Sequence, residues 1–171
     1  AAEVARRFPI RIEGPHALYQ RDGGIIRADA AVDALAGSAV AAGAELREGH
    51  RIEAIEEDAD GVTVDGVRAR AVVVTAGAWA PKLVELEVRT TSETVAYFAF
   101  PEPLPSVIDT TTGERSGYAL TAPGGMLKAG LHQSGRTIDP DEPAGPDEEL
   151  AARAAEWVEE RFPAAGAAVR L

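Results

Sequence analysis

Lys128, Gly130 and His132 occupy alternate positions in the segment 126–132, MLKAGLH. Successive side chains of a strand point to opposite faces, so this spacing predicts an ammonium and an imidazole on one face, with a glycine between them that leaves room for a flat ring. A cation fixed beside a reacting centre stabilises negative charge that develops there. The competing interpretations are a surface lysine whose stem covers apolar neighbours and a hydrogen-bonded structural histidine.

A second candidate lies at the end of the apolar run 71–77, AVVVTAG. The run is too short for a helix and rich in β-branched residues, which favours a strand buried on both faces of a parallel sheet. In open α/β sheets, ligands bind beyond the carboxyl ends of such strands. Gly77, Ala78 and Trp79 are therefore a candidate ligand edge, although Trp79 also fits a place in the core.

The elements that position these residues follow from the hydrophobic periodicity. Two segments with helical spacing are predicted to form helices, namely 29–43 and about 147–162. Alternating segments are predicted to form a hairpin and then antiparallel strands, namely 51–56 with 62–64, 94–100, 116–120 and 126–132. The acidic stretch 139–149 is predicted to be a solvated loop leading to a helix cap. These patterns predict an α+β fold in which an α/β portion precedes an antiparallel sheet.

Composition excludes several classes of function. The chain of 171 residues has no cysteine and three histidines, which argues against metal sites and thiolate chemistry. A formal net charge of −11 argues against nucleic acid and anionic membrane surfaces as partners. No apolar run is long enough to cross a bilayer, so we expect a cytoplasmic protein with a small-molecule partner.

Three sequence blocks carry a resemblance to a known family. They are 22–27, DGGIIR; 72–83, VVVTAGAWAPKL; and 127–135, LKAGLHQSG, which is followed by IDPD at 138–141. Their order and spacing resemble those of the FAD-dependent D-amino-acid oxidase superfamily, most closely the branch of monomeric sarcosine oxidase and N-methyl-amino-acid oxidase. The glycine fingerprint G-x-G-x-x-G that would bind the FAD pyrophosphate does not occur. We therefore expect a central fragment, with no FAD bound to it and with unpaired strand edges that favour self-association.

The resemblance implies roles for individual residues. It implies that Lys128 lies above the flavin ring and promotes reaction with oxygen, and that His132 and Tyr118 line the substrate cavity. One residue of the loop after Tyr118 is missing relative to the family. The residues implied to contact the cofactor are Ile52, Thr75, Ala76, Gly77 and Trp79.

The resemblance also implies an activity and a division of the chain. FAD would oxidise a secondary amine or amino acid to an imine, and O2 would reoxidise it to give hydrogen peroxide. Residues 1–88 would form a partial FAD-binding domain, and residues 89–171 a substrate-binding domain; the fragment alone is expected to be inactive. The alternatives are a glycine or D-amino-acid oxidase, a dehydrogenase that uses another electron acceptor, and a non-catalytic binding domain.

Overall fold

The computed structural model describes residues 1–111, 116–132, 135–142 and 144–170. The helices are α1 (Ala2–Arg7), α2 (Ala28–Ala41) and α3 (Glu148–Arg161), and a 3-10 helix spans Gly77–Lys82. The strands are β1 (Ile55–Asp58), β2 (Gly61–Val64), β3 (Val67–Ala69), β4 (Thr91–Ser92), β5 (Val95–Ala99), β6 (Val107–Asp109), β7 (Gly117–Ala122), β8 (Met126–Leu131), β9 (Arg136–Thr137) and β10 (Ala168–Arg170). Helices and antiparallel sheets are mixed, which confirms the predicted α+β class.

The chain divides into two compact units that interleave along the sequence. The first unit contains Ala1–Ile26, Thr91–Ile138 and Pro143–Leu171, and the second contains Arg27–Thr90 and Asp139–Glu142. The predicted boundary at 88/89 is close to one of these divisions, but residues 1–26 group with the later part of the chain. The assignment of an FAD-binding and a substrate-binding domain stays a prediction.

The first unit is built on a five-stranded antiparallel sheet with the strand order β10-β5-β8-β7-β6. Its central strand, β8, alternates between two environments. Leu127, Ala129 and Leu131 are buried, whereas Met126 and Lys128 on the opposite face are half-buried. The predicted strands 94–100, 116–120 and 126–132 are confirmed, because each forms a strand of this sheet.

Helix α3 covers the buried face of this sheet. Asp147 caps its N-terminus by accepting hydrogen bonds from the backbone N–H groups of Glu149 and Leu150, as predicted for the end of the acidic stretch. Trp157 and Val158 are almost fully buried. The predicted apolar stripe of this helix is thus the stripe that forms the core, which is completed by Ala96, Phe98, Phe100, Leu104, Ala119, Ala154 and Phe162.

One buried charged residue ties the end of α3 to the sheet. The side chain of Arg161 is only 4% exposed, and its Nε donates a 2.8 Å hydrogen bond to Asp109. Trp157 donates from its indole Nε1 to the same carboxylate, and Arg161 also contacts Glu13 at 2.9 Å. Burial would raise the pKa of Asp109, but hydrogen bonds from Thr111, Trp157 and Arg161 outweigh it and hold the pKa at about 2.

The second unit contains the helix α2 and a three-stranded antiparallel sheet in the order β1-β2-β3. The predicted helix 29–43 and the hairpin are confirmed, although β1 begins only at Ile55 and β3 was not foreseen. Helix α2 has no buried residue, and its apolar stripe is exposed, with Leu35 at 71%.

The prediction of a buried parallel strand over 71–77 is wrong. These residues form no strand, and Val73 is 83% exposed. An apolar β-branched segment becomes a buried strand only where neighbouring strands satisfy its backbone groups and cover its side chains. No described strand pairs with this segment.

The helices of the described residues also bear on the membrane prediction. None of them combines the length and the apolar character that crossing a membrane requires.

The five-stranded sheet ends in the strands β10 and β6. Self-association through such edges stays a prediction.

We predict that Asp109→Asn lowers the free energy of unfolding by about 3 kcal/mol, because it leaves Arg161 without its buried counter-charge. The native pKa of about 2 lies below the ordinary 3.8, so the stabilisation by Asp109 is present above about pH 4 and is lost as the pH falls towards 2. Urea unfolding at several pH values measures both effects. The difference between the two proteins should shrink below about pH 4.

Glu13→Gln is the matched control, because Glu13 contacts the same guanidinium but its side chain is 62% exposed. It should cost less than about 1 kcal/mol. Equal effects of the two substitutions would contradict the account of Arg161 and Asp109.

Candidate functional site

The predicted catalytic residues lie on one face of the five-stranded sheet, which we call the open face because α3 covers the other. Residues directly opposite each other on neighbouring strands share a face. Gly130 of β8 pairs with Tyr118 of β7, and Lys128 pairs with Leu120. The prediction that Lys128 and Gly130 lie on the same face of one strand is thereby confirmed.

His132 follows β8 and continues its alternation. Its backbone N–H donates to the carbonyl oxygen of Ser116 at 2.9 Å, which extends the pairing of β8 with β7 by one step. The imidazole contacts the ring of Tyr118, with 5.0 Å between ring centroids and 41° between planes. The structure therefore brings Tyr118 and His132 into contact on the face that carries Lys128.

The space above Gly130 is filled from within the chain. A Cβ atom at this position would lie 3.0 Å from the hydroxyl oxygen of Tyr118 and 3.2 Å from its ring. The sequence predicts room for the flat ring of a cofactor beside this glycine, but the space next to its Cα is occupied by the phenol of Tyr118. Gly130 thus sets how closely Tyr118 lies against the sheet.

The Tyr118 hydroxyl of β7 and the Lys128 ammonium of β8 have different electrostatic environments. Burial raises the pKa of the Tyr118 phenol, and the charge of Glu93 raises it further, so the hydroxyl stays protonated at neutral pH. Within the described part of the chain, Lys128 has no hydrogen-bond or ion-pair partner. A half-buried ammonium without a counter-ion is available to stabilise negative charge on a small molecule.

Glu93 holds the segment that follows His132. Its carboxylate accepts hydrogen bonds from the Gly135 backbone N–H at 3.1 Å and from the Thr91 hydroxyl at 2.8 Å. Strands β4 and β9 pair beside it in a two-stranded sheet. The two residues of the third sequence block between His132 and Gly135, at 133–134, lie outside the described residues.

In the second unit, Asp141 gathers the residues of the predicted ligand edge. It accepts hydrogen bonds from the Trp79 indole at 2.9 Å and the Lys82 ammonium at 2.6 Å, and it binds Arg51 through both carboxylate oxygens. These bonds hold the pKa of Asp141 far below its usual range. Asp139 also binds Lys82. Asp139 and Asp141 lie in an exposed loop, as predicted, but their ion pairs were not predicted.

Of the predicted cofactor-binding residues, Trp79 is the one that contacts this carboxylate among the described residues. Ile52, which is half-buried, follows Arg51. Gly77 begins the 3-10 helix with a φ of +52°, a left-handed conformation that favours glycine. Thr75 is exposed and Ala76 is half-buried in the segment before it. No contact of these residues with a cofactor follows from their geometry, and their role stays a prediction.

Sequence reasoning missed the residues that hold these candidates in place. The signal for Asp141 was present, because IDPD at 138–141 is one of the blocks that carry the resemblance. Its ion pairs were not predictable, since Arg51 lies 90 positions away in the sequence. Glu93 had no signal of its own.

Comparison with known proteins gave a family match and several solved structures, among them the two that follow. Residues 1–170 match the family described as FAD dependent oxidoreductase (DAO). A structure of NikD, an unusual amino acid oxidase essential for nikkomycin biosynthesis, in an open form, is 25% identical with a TM-score of 0.57. The open form of its Tyr258Phe mutant is 24% identical, with a TM-score of 0.58, and supports the fold alone. No match was found among curated proteins.

The chain spans less than half the length of these structures. In both cases the similarity covers 81% of this chain and 41% of the NikD chain. The activity of a whole protein of this kind is therefore a matter for proposal.

We predict that Gly130→Ala moves the Tyr118 ring without unfolding the chain. The added methyl group meets the free end of a side chain at 3.0 Å, so a shift of a few tenths of an ångström relieves the contact. The ring-current shift of the His132 imidazole protons in NMR spectra should change. Gly117→Ala is the contrast, since its Cβ would lie 2.5 Å from the buried indole of Trp157. It should lower the free energy of unfolding by roughly 1 to 3 kcal/mol.

Gly130→Ala meets a side chain that is able to shift, that of Tyr118, whereas Gly117→Ala meets one that is fixed in the core, that of Trp157. Equal destabilisation by both, or an unchanged His132 spectrum in Gly130→Ala, would contradict the placement of Tyr118.

We predict that Asp141→Ala frees the Trp79 side chain. Trp157 is only 2% exposed, so acrylamide quenching of tryptophan fluorescence reports mainly on Trp79, the only other tryptophan. Quenching should increase in the variant because the indole loses its acceptor. Asp60→Ala, an exposed carboxylate of the same unit, should leave quenching unchanged. Equal quenching in wild type and Asp141→Ala would show that other contacts hold Trp79.

Proposed function

Because the chain belongs to the DAO family of FAD-dependent oxidoreductases, we propose that the whole protein oxidises a secondary amine or amino acid to an imine and uses O2 as electron acceptor. The observation that carries this proposal is the open face, where Lys128 has no ion-pair partner among the described residues and lies beside the contact between Tyr118 and His132. The amino acid oxidase NikD, with which the chain shares its fold, is consistent with this substrate class.

The described residues fit the redox ring of FAD better than they fit its pyrophosphate. The open face offers a cation, a protonated phenol and an imidazole, which suit a surface that receives the redox ring and a polar substrate. The predicted edge in the second unit offers no comparable place for a pyrophosphate, because Arg51 and Lys82 are already paired with Asp141. We propose that the 171-residue chain alone is inactive for this reason.

FAD, when bound, would supply the redox chemistry, accepting the hydride equivalent from the amine and passing the electrons on to O2. The contribution of Lys128 is electrostatic. Its ammonium stabilises the negative charge that O2 acquires with its first electron, as donors in an oxyanion hole stabilise a developing oxyanion. No carboxylate among the described residues forms an ion pair with Lys128. Its positive charge is therefore not offset and acts on a molecule bound beside it.

Tyr118 and His132 act on the substrate side in this proposal. The phenol is neutral at pH 7, as phenols ordinarily are, and the upward shift of its pKa keeps it so, which lets it donate or accept a hydrogen bond without carrying charge. The imidazole is exposed and tilted against the phenol. Together the two rings form a wall that orients an amine and limits its size.

Two rival functions remain distinct from this proposal. A dehydrogenase of the same family would not need a cation for oxygen, and the unpaired Lys128 therefore favours an oxidase. A non-catalytic binding domain would retain the fold without any redox chemistry. The half-reactions of the whole protein separate these possibilities.

We predict that Lys128→Met in the FAD-loaded whole protein slows flavin reoxidation by O2 about 100- to 1,000-fold, which corresponds to roughly 3 to 4 kcal/mol of barrier. Methionine keeps much of the volume and removes the charge. Flavin bleaching at saturating amine should be largely preserved, because no superoxide forms in that step. Anaerobic stopped-flow mixing with amine measures bleaching, and mixing the reduced protein with O2 measures recovery.

Lys128→Arg is the control, since it keeps a positive charge and should retain most of the oxygen reaction. If Lys128→Met slows bleaching and leaves recovery untouched, Lys128 binds substrate and its role with oxygen is wrong. If neither step changes, Lys128 is an incidental surface residue.

A further inference from the structure

Glu93 lies beside the wall formed by Tyr118 and His132, although it is an exposed residue. Burial raises the pKa of the Tyr118 phenol, and the negative charge of Glu93 is the next cause of the rise, so this carboxylate lies within electrostatic range of the phenol. The Tyr118 ring in turn contacts the His132 imidazole, with 5.0 Å between ring centroids. The proposed reaction gives a role to both rings but none to Glu93.

The carboxylate of Glu93 anchors the chain shortly after His132. Its two oxygens accept a bifurcated hydrogen bond from the backbone N–H of Gly135, at 3.2 and 3.1 Å. Hydrogen bonds to an ionised acceptor are about twice as strong as those between neutral groups. Gly135 also lies so close to β4 that a Cβ atom there would overlap the carbonyl oxygen of Ser92. The position of Gly135 is therefore fixed by β4 and Glu93 together.

Glu93 is itself held in place by its neighbours in the sequence. The hydroxyl of Thr91 donates a 2.8 Å hydrogen bond to the same carboxylate. Thr94 is buried, and its hydroxyl accepts a 2.9 Å hydrogen bond from the backbone N–H of Asp147, the residue that caps α3. The backbone at Glu93 is thus tied to the core, and its side chain is oriented by Thr91. A carboxylate constrained in both ways is suited to fix the position of its partner.

His132 lies between two anchors. Its backbone N–H donates to the carbonyl oxygen of Ser116, which ties it to the sheet, and Gly135 follows it three residues later. Three residues span at most about 11 Å, so a displacement of Gly135 also moves the backbone of His132. The Tyr118 ring does not follow, because it packs over Gly130 of β8. The contact between the two rings therefore depends on the anchor at Gly135.

We propose that Glu93 is a positioning residue, which holds the His132 imidazole against Tyr118 and thereby sets the size of the amine that the open face accepts. It acts through the backbone of Gly135 and contacts neither the substrate nor the flavin. Release of this anchor lets the imidazole move away from the phenol, so bulkier amines gain room and small amines lose a close contact. This inference rests on the proposed function and deepens it, because it names a residue that determines specificity.

The first test measures the ring contact in the 171-residue chain. Nuclear Overhauser effects between the ring protons of Tyr118 and His132 report their distance, and the ring-current shift of the imidazole protons reports their tilt. Glu93→Ala removes the acceptor of the Gly135 N–H. We therefore expect the Overhauser effects to be lost and the imidazole shifts to move towards those of a histidine free in solution. The backbone amide spectrum shows that the variant is folded.

Three further variants separate positioning from other effects. Glu93→Gln keeps a carbonyl oxygen that accepts from the Gly135 N–H, so it should retain most of the ring contact without the charge. Thr91→Val removes the hydroxyl that orients Glu93 and should weaken the contact to an intermediate degree. Glu159→Ala removes an exposed carboxylate of α3 in the same unit and should leave the contact unchanged.

The second test uses the flavin-loaded whole protein and two probe amines that differ in bulk, N-methylglycine and N-methylphenylalanine. Glu93→Ala should lower kcat/KM for N-methylglycine on the order of tenfold, mainly through a higher KM, because a misplaced wall weakens binding of the small amine. The ratio of kcat/KM between the two amines should shift at least about threefold towards the bulkier one. Reoxidation of the reduced flavin by O2 should be unchanged, whereas Lys128→Met slows that step.

The proposal is overturned if folded Glu93→Ala keeps the contact between the two rings, or if Glu93→Gln loses that contact as fully as Glu93→Ala does. It is also overturned if Glu93→Ala lowers kcat/KM for both amines by the same factor, which is the result expected of a merely structural residue. Failure of this proposal is distinguishable from failure of the proposed function. The ring contact is measured without flavin, whereas the role of Lys128 is measured in the reaction of the flavin-loaded protein with O2.

Discussion

The alternation of the central strand β8 is the constraint on which the rest of the first unit depends. Leu127, Ala129 and Leu131 must face α3 because they complete its core, and the geometry of a strand then forces Lys128 and Gly130 to the opposite face. A shift of one residue in register would bury the ammonium and expose the leucines. Core packing on one side thus fixes the candidate site on the other.

The two faces use glycine and aromatic rings in different ways. On the core face, Gly117 makes room for the buried indole of Trp157. On the open face, Gly130 makes room for Tyr118, whose ring then contacts His132. The indole of Trp157 is fixed in the packed core, whereas the phenol of Tyr118 is half-buried and able to shift. This difference fits the proposed role of the open face as the surface that receives a substrate.

Local pattern was sufficient for much of the fold and insufficient for the contacts that hold it together. Strand β8 and helix α3 were predictable because their alternation and periodicity depend on neighbouring residues alone. The segment 71–77 was not, because a strand buried on both faces requires partners that a single segment does not reveal. The ion-pair partners of Asp141 and Arg161 lie far away in the sequence. Only the folded chain therefore shows that Trp79 and Arg51 bind the same carboxylate, that of Asp141.

The central claim is that the open face of β8 is directed at the redox ring of FAD, with Lys128 as the cation that stabilises the negative charge acquired by O2. A crystal structure of the whole protein with FAD bound tests it most directly. The account predicts that the Lys128 ammonium reaches the flavin ring directly or through one water molecule, with Tyr118 and His132 on the substrate side. A flavin bound elsewhere, with Lys128 exposed to bulk solvent, would contradict the account.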